Sequence, residues 1–156
     1  MMQPYAPPPQ QAPAEKGVAA LPSGARLFYW DTGGEGTAVI FSHPATGSAL
    51  MWPYQQPVFA AAGYRVIGYS RRSHHGSAPL EKGKAGSASV DLHELVEFLG
   101  VKKFHAVASA AGGAVIVDYA LSHPDRLYSL TLSSSVGGVR DADYLALSES
   151  LRPKGF

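Results

Sequence analysis

The segment from Ala108 to Gly112 consists of five small residues, Ala-Ser-Ala-Ala-Gly. It has the form of a G-x-S-x-G motif, which holds a nucleophile on a tight strand-to-helix turn and aims the following backbone N–H at a developing oxyanion. Flanking residues must be small because the backbone makes close contacts there. The chemistry indicated is nucleophilic attack on an acyl carbon, but the nucleophile position is occupied by Ala110, which has no hydroxyl group.

The residues on either side supply the elements that such a turn needs. The run from Phe104 to Val107 predicts a short buried strand, and the apolar spacing from Gly112 to Leu121 predicts a helix. A strand, a turn and a helix therefore follow in the required order. The alternative is a close-packed strand-to-helix junction without catalytic function, which is common in doubly wound proteins.

The residues after the turn fix the register of the motif. Gly112-Gly113, Tyr119-Ala120 and the corner from His123 to Arg126 resemble the S-x-G-G…Y-A…H-P-E-R run of α/β-hydrolases. That resemblance places the nucleophile at Ala110 and leaves Ser109 at the variable position before it. It also implies a structural function for His123.

A second segment, from Val39 to Trp52, resembles the strand and oxyanion loop HG-x-x-x-s-x-x-x-W of the same family. Pro44 replaces the usual glycine and has no N–H to donate. The resemblance implies that the oxyanion donors are the backbone N–H groups of Ala45 and Ala111, and that His43 orders the loop by hydrogen bonding. The substrate pocket that it implies is formed by His43, Pro44, Ser109 and Trp52.

Two further segments agree with this resemblance. The stretch from Tyr64 to Ser77 is similar to G-y-r-V-i-x-x-D-x-R-G-x-G-x-S, with Ser70 in place of aspartate and Ser73 in place of glycine. The stretch from Ala88 to Gly100 predicts an amphipathic helix that ends at a glycine. It precedes the predicted nucleophile strand, as in the family.

The histidines and arginines near these motifs have plainer interpretations. A metal cluster of His43, His74 and His75 is disfavoured, because neither helical spacing nor supporting carboxylates accompany them. We expect no metal site, and we place His74 and His75 in the loop after the fourth strand. Arg71 and Arg72 are expected to be structural charge partners, and one of them reaching substrate is the alternative.

The resemblance implies an α/β-hydrolase fold with a mostly parallel, doubly wound sheet. Residues 1–16 are predicted to be a disordered Pro-rich extension, residues 17–136 the N-terminal part of the core, and residues 137–156 the start of a cap. The fold is expected to open with a hairpin of Val18 to Leu21 and Arg26 to Trp30. The triad acid and histidine would lie beyond Phe156, in cis or on a second chain.

Composition narrows the class of partner. The net charge is +1 and 16% of residues are charged, which argues against nucleic acid or an acidic membrane surface as partner. The 46% apolar content contains no run near the length of a membrane span, and no cysteine is present. We expect a soluble protein, cytoplasmic or exported after signal removal, with a small neutral organic substrate.

The activity implied is that of a serine-type hydrolase acting on an ester, lactone, amide or related substrate, without metal or organic cofactor. With Ala110 at the nucleophile position the chain is expected to be nearly inactive, as a disabled enzyme or a natural pseudoenzyme. The alternative is a non-catalytic ligand-binding protein of the same fold. A downstream aspartate and a late histidine would favour the enzyme.

Overall fold

A computed structural model describes residues 6–80 and 86–135 of the chain. One sheet of six strands runs through this part of the protein. The strands are β1 (Glu15–Ala20), β2 (Arg26–Asp31), β3 (Ala38–Ser42), β4 (Arg65–Tyr69), β5 (Phe104–Ser109) and β6 (Leu127–Ser133). The helices are α1 (Gln55–Ala61), α2 (Ala88–Phe98) and α3 (Ala111–Ser122), with short 3-10 helices at Ala49–Met51 and Pro124–Arg126.

The strand order in the sheet is β1-β2-β4-β3-β5-β6. Strands β4, β3, β5 and β6 are parallel to one another, whereas β1 and β2 form an antiparallel hairpin whose second strand also pairs antiparallel with β4. The predicted α/β fold with a mostly parallel sheet is thus confirmed. Since the carboxyl ends of parallel strands meet at one edge, the segments after β3, β4 and β5 lie at the same end of the sheet.

The sheet is covered on both faces, as a doubly wound architecture requires. One apolar cluster packs α2 and α3 against the strands and includes the fully buried Leu92, Leu95 and Ile116. A second cluster, on Phe41 and Trp52, packs against Phe59 of α1. Each buried aliphatic or aromatic side chain of this kind contributes about 1.5–3 kcal/mol to stability.

Helices α2 and α3 agree closely with their predicted spans. The Ser87 side chain accepts a hydrogen bond from the Val90 N–H and so caps the first turn of α2. Helix α2 ends at Phe98, and Gly100 follows with φ 66°, which explains the glycine seen in the sequence. Helix α3 begins directly after Ala110 without a side-chain cap.

The N-terminal segment differs from the predicted disordered extension. Strand β1 already includes Glu15 and Lys16, and Ala12 is held by the side-chain amide of Gln56. The Ala12 N–H donates to Gln56 Oε1 at 2.9 Å, and Gln56 Nε2 donates to the Ala12 carbonyl at 2.8 Å. Gln56 is only 3% exposed, so its buried amide needs these two partners.

The predicted start of a cap, residues 137–156, lies outside the described residues. Residues 1–5 of the predicted extension also lie outside them. In the described ranges, none of the helices combines the length and the apolar character needed to cross a bilayer.

Replacing Gln56 by alanine should release the N-terminal segment. Both hydrogen bonds to Ala12 are lost, and at about 1–3 kcal/mol for the pair the amide of Ala12 should exchange with solvent roughly 5- to 100-fold faster. Hydrogen exchange of the intact protein measures this. Gln55→Ala, in the same helix, is the matched control, and equal exchange at Ala12 in both variants would contradict the prediction.

Candidate functional site

Ala110 is the turn residue between β5 and α3, and its backbone is strained. It has φ 47° and ψ −117°, a conformation that residues with a Cβ rarely adopt. Its N–H donates to the Ser133 carbonyl at 3.0 Å, and its own carbonyl accepts from the Gly113 N–H at 3.0 Å. The turn is therefore held by bonds to β6 on one side and to the helix on the other.

Ser109 occupies a different environment from its neighbour. It is the last residue of β5 and pairs in register with Ser133 of β6. The strand geometry therefore continues through Ser109, and the reversal of the chain occurs at Ala110. Ser109 therefore lies before the turn and Ala110 lies at it.

The start of α3 lies against the end of β3 at Gly112. A Cβ on Gly112 would lie 2.7 Å from the His43 carbonyl oxygen and closer still to that of Ser42. Only glycine permits this approach. It brings the turn at Ala110 beside the loop that begins at His43, so the two segments predicted to form one site are neighbours.

His43 is fully buried beneath this loop and has a defined tautomer. The Arg71 backbone N–H donates to Nε2 at 3.0 Å, so Nε2 must be the unprotonated nitrogen. Nδ1 therefore carries the hydrogen and donates to the Pro44 carbonyl at 2.7 Å. The prediction that His43 orders the loop by hydrogen bonding agrees with these contacts.

The His43 ring is neutral because of where it lies. Burial lowers the pKa of His43 from its ordinary value of 6.5 to about 4, and the nearby charges of Arg71 and His74 act in the same direction. The hydrogen bond to Pro44 opposes them without overcoming them. At neutral pH His43 is consequently a fixed donor, not a proton carrier.

Two more side chains hold the carbonyl groups of the loop. Arg71 Nη2 donates to the Pro44 carbonyl at 3.1 Å, and His74 Nε2 lies 2.9 Å from the Ala45 carbonyl. The rings of His43 and His74 are 4.5 Å apart. Burial lowers the pKa of the Arg71 guanidinium, which nevertheless remains a cation. The loop is thus fixed through the oxygens of Pro44 and Ala45.

The histidines do not form a metal centre in the part of the chain that the structure describes. No group of three or more histidine or carboxylate side chains there is arranged to hold a metal ion. His75 meets Phe28 edge-on at 5.2 Å between ring centroids. His123 stacks on His93 at 4.0 Å and on Tyr119 at 4.9 Å, as a packing residue would.

Ser70 and Ser73, the two serines in the segment after β4, differ in their structural environment. The buried Ser70 Oγ accepts the Ala49 N–H at 3.0 Å, and the Ser70 carbonyl accepts from Ser77 Oγ at 2.6 Å. Ser73 has φ 65°, a left-handed conformation that favours glycine. These bonds position the loop that carries Arg71.

Trp52 belongs to an apolar cluster that does not include the turn at Ala110. It is 8% exposed and packs on Phe41 with ring centroids 4.8 Å apart. It also lines a cavity of about 320 Å³ together with Trp30, Gln11 and Lys16. Neither the turn nor residues 43–47 line this cavity, so the structure does not bring Trp52 together with the other predicted pocket residues.

The backbone N–H groups of Ala45 and Ala111, the two predicted oxyanion donors, have no acceptor within residues 6–80 and 86–135. Ala111 is the first residue of α3, where the N–H has no partner within the helix. Ala111 directly precedes Gly112, and Ala45 follows two residues after His43, whose carbonyl Gly112 approaches.

The expectation of charge partners holds for Arg72 but not for Arg71. Arg72 forms a bidentate pair with Asp91, at 2.7 Å for each bond. Arg71 instead holds the Pro44 carbonyl. The sequence contains no feature that separates the two, because the partner of Arg71 is a backbone group.

Comparison with known proteins places the chain in the alpha/beta hydrolase fold family. Residues 37–151 match a family model described as alpha/beta hydrolase fold. The dihydrolipoyllysine-residue acetyltransferase component of an acetoin cleaving system from Pseudomonas putida is 34% identical over 117 residues, covering 73% of this chain and 31% of that protein. A non-heme chloroperoxidase from Kitasatospora aureofaciens is 34% identical over 123 residues, covering 76% and 44%.

Solved structures agree on the fold. A carboxylesterase structure from the Thaumarchaeon Nitrososphaera gargenis superposes with a TM-score of 0.76 at 23% identity, covering 86% of this chain and 51% of that one. The chain spans between 31% and 44% of the length of the two curated relatives named above.

The His43 environment predicts acid sensitivity. The unfolded ring takes up a proton below its ordinary pKa of 6.5, whereas the native ring resists protonation until about 4. The free energy of unfolding should therefore be at its full value above pH 6.5 and fall by about 3 kcal/mol as the pH drops to 4. Denaturant unfolding of the intact protein across this range measures it.

The same titration of His43→Gln isolates the contribution of the ring. Glutamine does not titrate, so its curve should be flatter than that of the unaltered protein between pH 6.5 and pH 4. Parallel curves for the two proteins would show that the prediction is wrong.

Proposed function

The chain belongs to the α/β-hydrolase fold family, and on that premise we propose that it is the N-terminal part of a serine-type hydrolase whose nucleophile position holds Ala110. The observation that carries the proposal is the strained turn at Ala110, with φ 47° and ψ −117°, at the junction of β5 and α3. A nucleophile elbow needs such a turn, and an ordinary strand-to-helix junction does not.

The mechanism follows from the groups around that turn. In the active parent, a serine hydroxyl at position 110 attacks the acyl carbon, and a histidine takes its proton while an acid orients the histidine. The tetrahedral oxyanion receives hydrogen bonds from the N–H groups of Ala45 and Ala111. His43 and Pro44 are the first residues of the loop that holds Ala45, and Ser109 is the last residue of β5, before the turn.

The histidine and the acid belong to a part of the protein outside these 156 residues, in cis or on a second chain. The span of 31% to 44% of two curated relatives supports that view. In the family the acid and the histidine follow the nucleophile in chain order. The reaction requires no metal or organic cofactor, because backbone N–H groups stabilise the charge.

The substrate class is that of small neutral molecules with an acyl group: esters, lactones, amides or related compounds. A net charge of +1 gives no electrostatic preference for a strongly anionic polymer. One relative at 34% identity is named as an acetyltransferase component, which is consistent with chemistry at an acyl carbon.

A second function is favoured by one specific observation, the methyl group at position 110. A site with intact donors and no nucleophile can hold an acyl ligand without turning it over. The protein would then be a ligand-binding member of the fold, and Ala110 would be its native residue rather than a disabled catalytic position.

Restoring a hydroxyl distinguishes these functions. In the complete protein, Ala110→Ser should raise hydrolysis of an ester or lactone by roughly 10⁶-fold, the scale of loss when a serine nucleophile alone is removed. Ligand affinity should change little, because one oxygen adds little volume. Steady-state hydrolysis across a panel of esters, lactones and amides is the measurement.

Ser109 provides the matched control. Since it lies in β5 and not at the turn, Ser109→Ala in the Ala110→Ser protein should leave most of the activity in place. If Ala110→Ser stays at background across the panel while ligand still binds, the ligand-binding function is the better account.

The exposed side of β6 predicts that the 156-residue chain does not fold stably by itself. Tyr128, Leu130 and Leu132 are 57%, 36% and 39% exposed, beside a strand edge at the end of the sheet. The isolated chain should show no cooperative thermal transition, whereas the protein extended beyond Phe156 should. A sharp monomeric transition in the isolated chain would contradict this.

A further inference from the structure

The Pro44 carbonyl accepts two hydrogen bonds from side chains. His43 Nδ1 donates at 2.7 Å and Arg71 Nη2 at 3.1 Å. Both lone pairs of the oxygen are thereby used, and one of the two donors is a cation. Two side chains therefore fix the orientation of this peptide group.

That carbonyl belongs to the same peptide unit as the Ala45 N–H. The unit is planar and trans, so its C=O and N–H point in opposite directions. Fixing the oxygen toward Arg71 and His43 therefore fixes the N–H away from them. Hydrogen bonds to the oxygen also polarise the unit and strengthen the N–H as a donor.

Arg71 is distinctive among the partly buried arginines. Arg65 pairs with Asp31 at 2.6 Å, Arg72 with Asp91 at 2.7 Å and Arg126 with Glu97 at 2.5 Å. Within the described residues Arg71 pairs with no carboxylate and instead places its charge on one backbone oxygen. Because this half-buried guanidinium binds a backbone carbonyl and not a carboxylate, we expect it to do more than neutralise a negative charge.

We propose that Arg71 is a positioning residue for oxyanion stabilisation, which aims and polarises the Ala45 N–H through the Pro44 carbonyl. The inference rests on the proposed function for the identity of the oxyanion donor. It extends that function by assigning to Arg71 an effect on the transition state. Within the described residues, the hydrogen-bonding contacts of the Arg71 side chain are to His43 and Pro44, so the effect on the oxyanion is indirect.

The backbone and side chain of Arg71 act separately on the loop. Its backbone N–H sets the tautomer of His43, and its guanidinium adds the second bond to Pro44. A side-chain substitution removes the bond to Pro44 and the 3.4 Å approach of Nη2 to His43 Nδ1, and it leaves the backbone bond to Nε2 in place. Arg71→Met should therefore leave the His43 ring in place and the fold intact while it loosens the Pro44–Ala45 peptide.

The first test reads the peptide directly and does not depend on hydrolysis. In the complete protein with its native Ala110, the ¹⁵N and ¹H resonances of the Ala45 amide should move upfield in Arg71→Met. Arg126→Met is the matched control, because Arg126 also donates to a backbone carbonyl, that of Val101 at 2.8 Å, at the opposite end of β5 and β6. An unmoved Ala45 amide in Arg71→Met would overturn the inference.

The second test uses the Ala110→Ser protein. Arg71→Met should lower kcat about 10- to 100-fold with KM unchanged, less than the roughly 10²–10³-fold cost of deleting an oxyanion donor. Arg71→Lys should recover part of the loss, since lysine keeps the charge but not the planar fork. Arg126→Met should keep full kcat.

The outcomes separate the two proposals. An unchanged kcat in Arg71→Met, or an equal loss in Arg126→Met, overturns the function assigned to Arg71. An inactive Ala110→Ser protein overturns the serine hydrolase, and the Ala45 resonance then still decides whether Arg71 controls that peptide. If Arg71→Met does not fold, the Ala45 amide resonances and kcat are measured in Arg71→Lys instead.

Discussion

The close approach of the first turn of α3 to the end of β3 is the constraint on which the candidate site depends. Gly112 permits it, because any Cβ there would meet the carbonyl oxygens of Ser42 and His43. Two segments about 70 residues apart in sequence are thereby brought together. The contact therefore joins the start of α3, which holds Ala111, to the residues that lead into the loop of Ala45.

A second constraint acts on the loop after β3, where proline stands in place of the glycine found in the family. Pro44 has a fixed φ and no N–H, so its only backbone polar group is the carbonyl. His43 and Arg71 engage that oxygen, and His74 lies beside the next one. Because the C=O and N–H of one peptide unit point in opposite directions, the side chain that binds the C=O also sets the direction of the N–H. Hydrogen bonds from side chains thus fix a loop that glycine would have left more flexible.

Much of this arrangement could be predicted from the sequence, because strands, helices and the tight turn have local patterns. The apolar run from Phe104 to Val107 predicts β5, the family resemblance predicts the strand that begins near Val39, and small residues predict the turn at Ala110. The partners of Arg71 and Gln56 could not be predicted. Both bind backbone groups, which every residue possesses, so no residue type reveals them. The position of Trp52 depends on packing across the sheet, which local spacing does not determine.

The bond from the Ala110 N–H to the Ser133 carbonyl links the turn to the outermost strand of the described sheet. Edge strands open more readily than central ones, because they are paired on one side only. The alignment of the turn can thus be no more persistent than the closed state of β6. A partner that covered the outer edge of β6 would also prolong the strained conformation of the turn. The precision of the site is in this sense a property of the completed sheet.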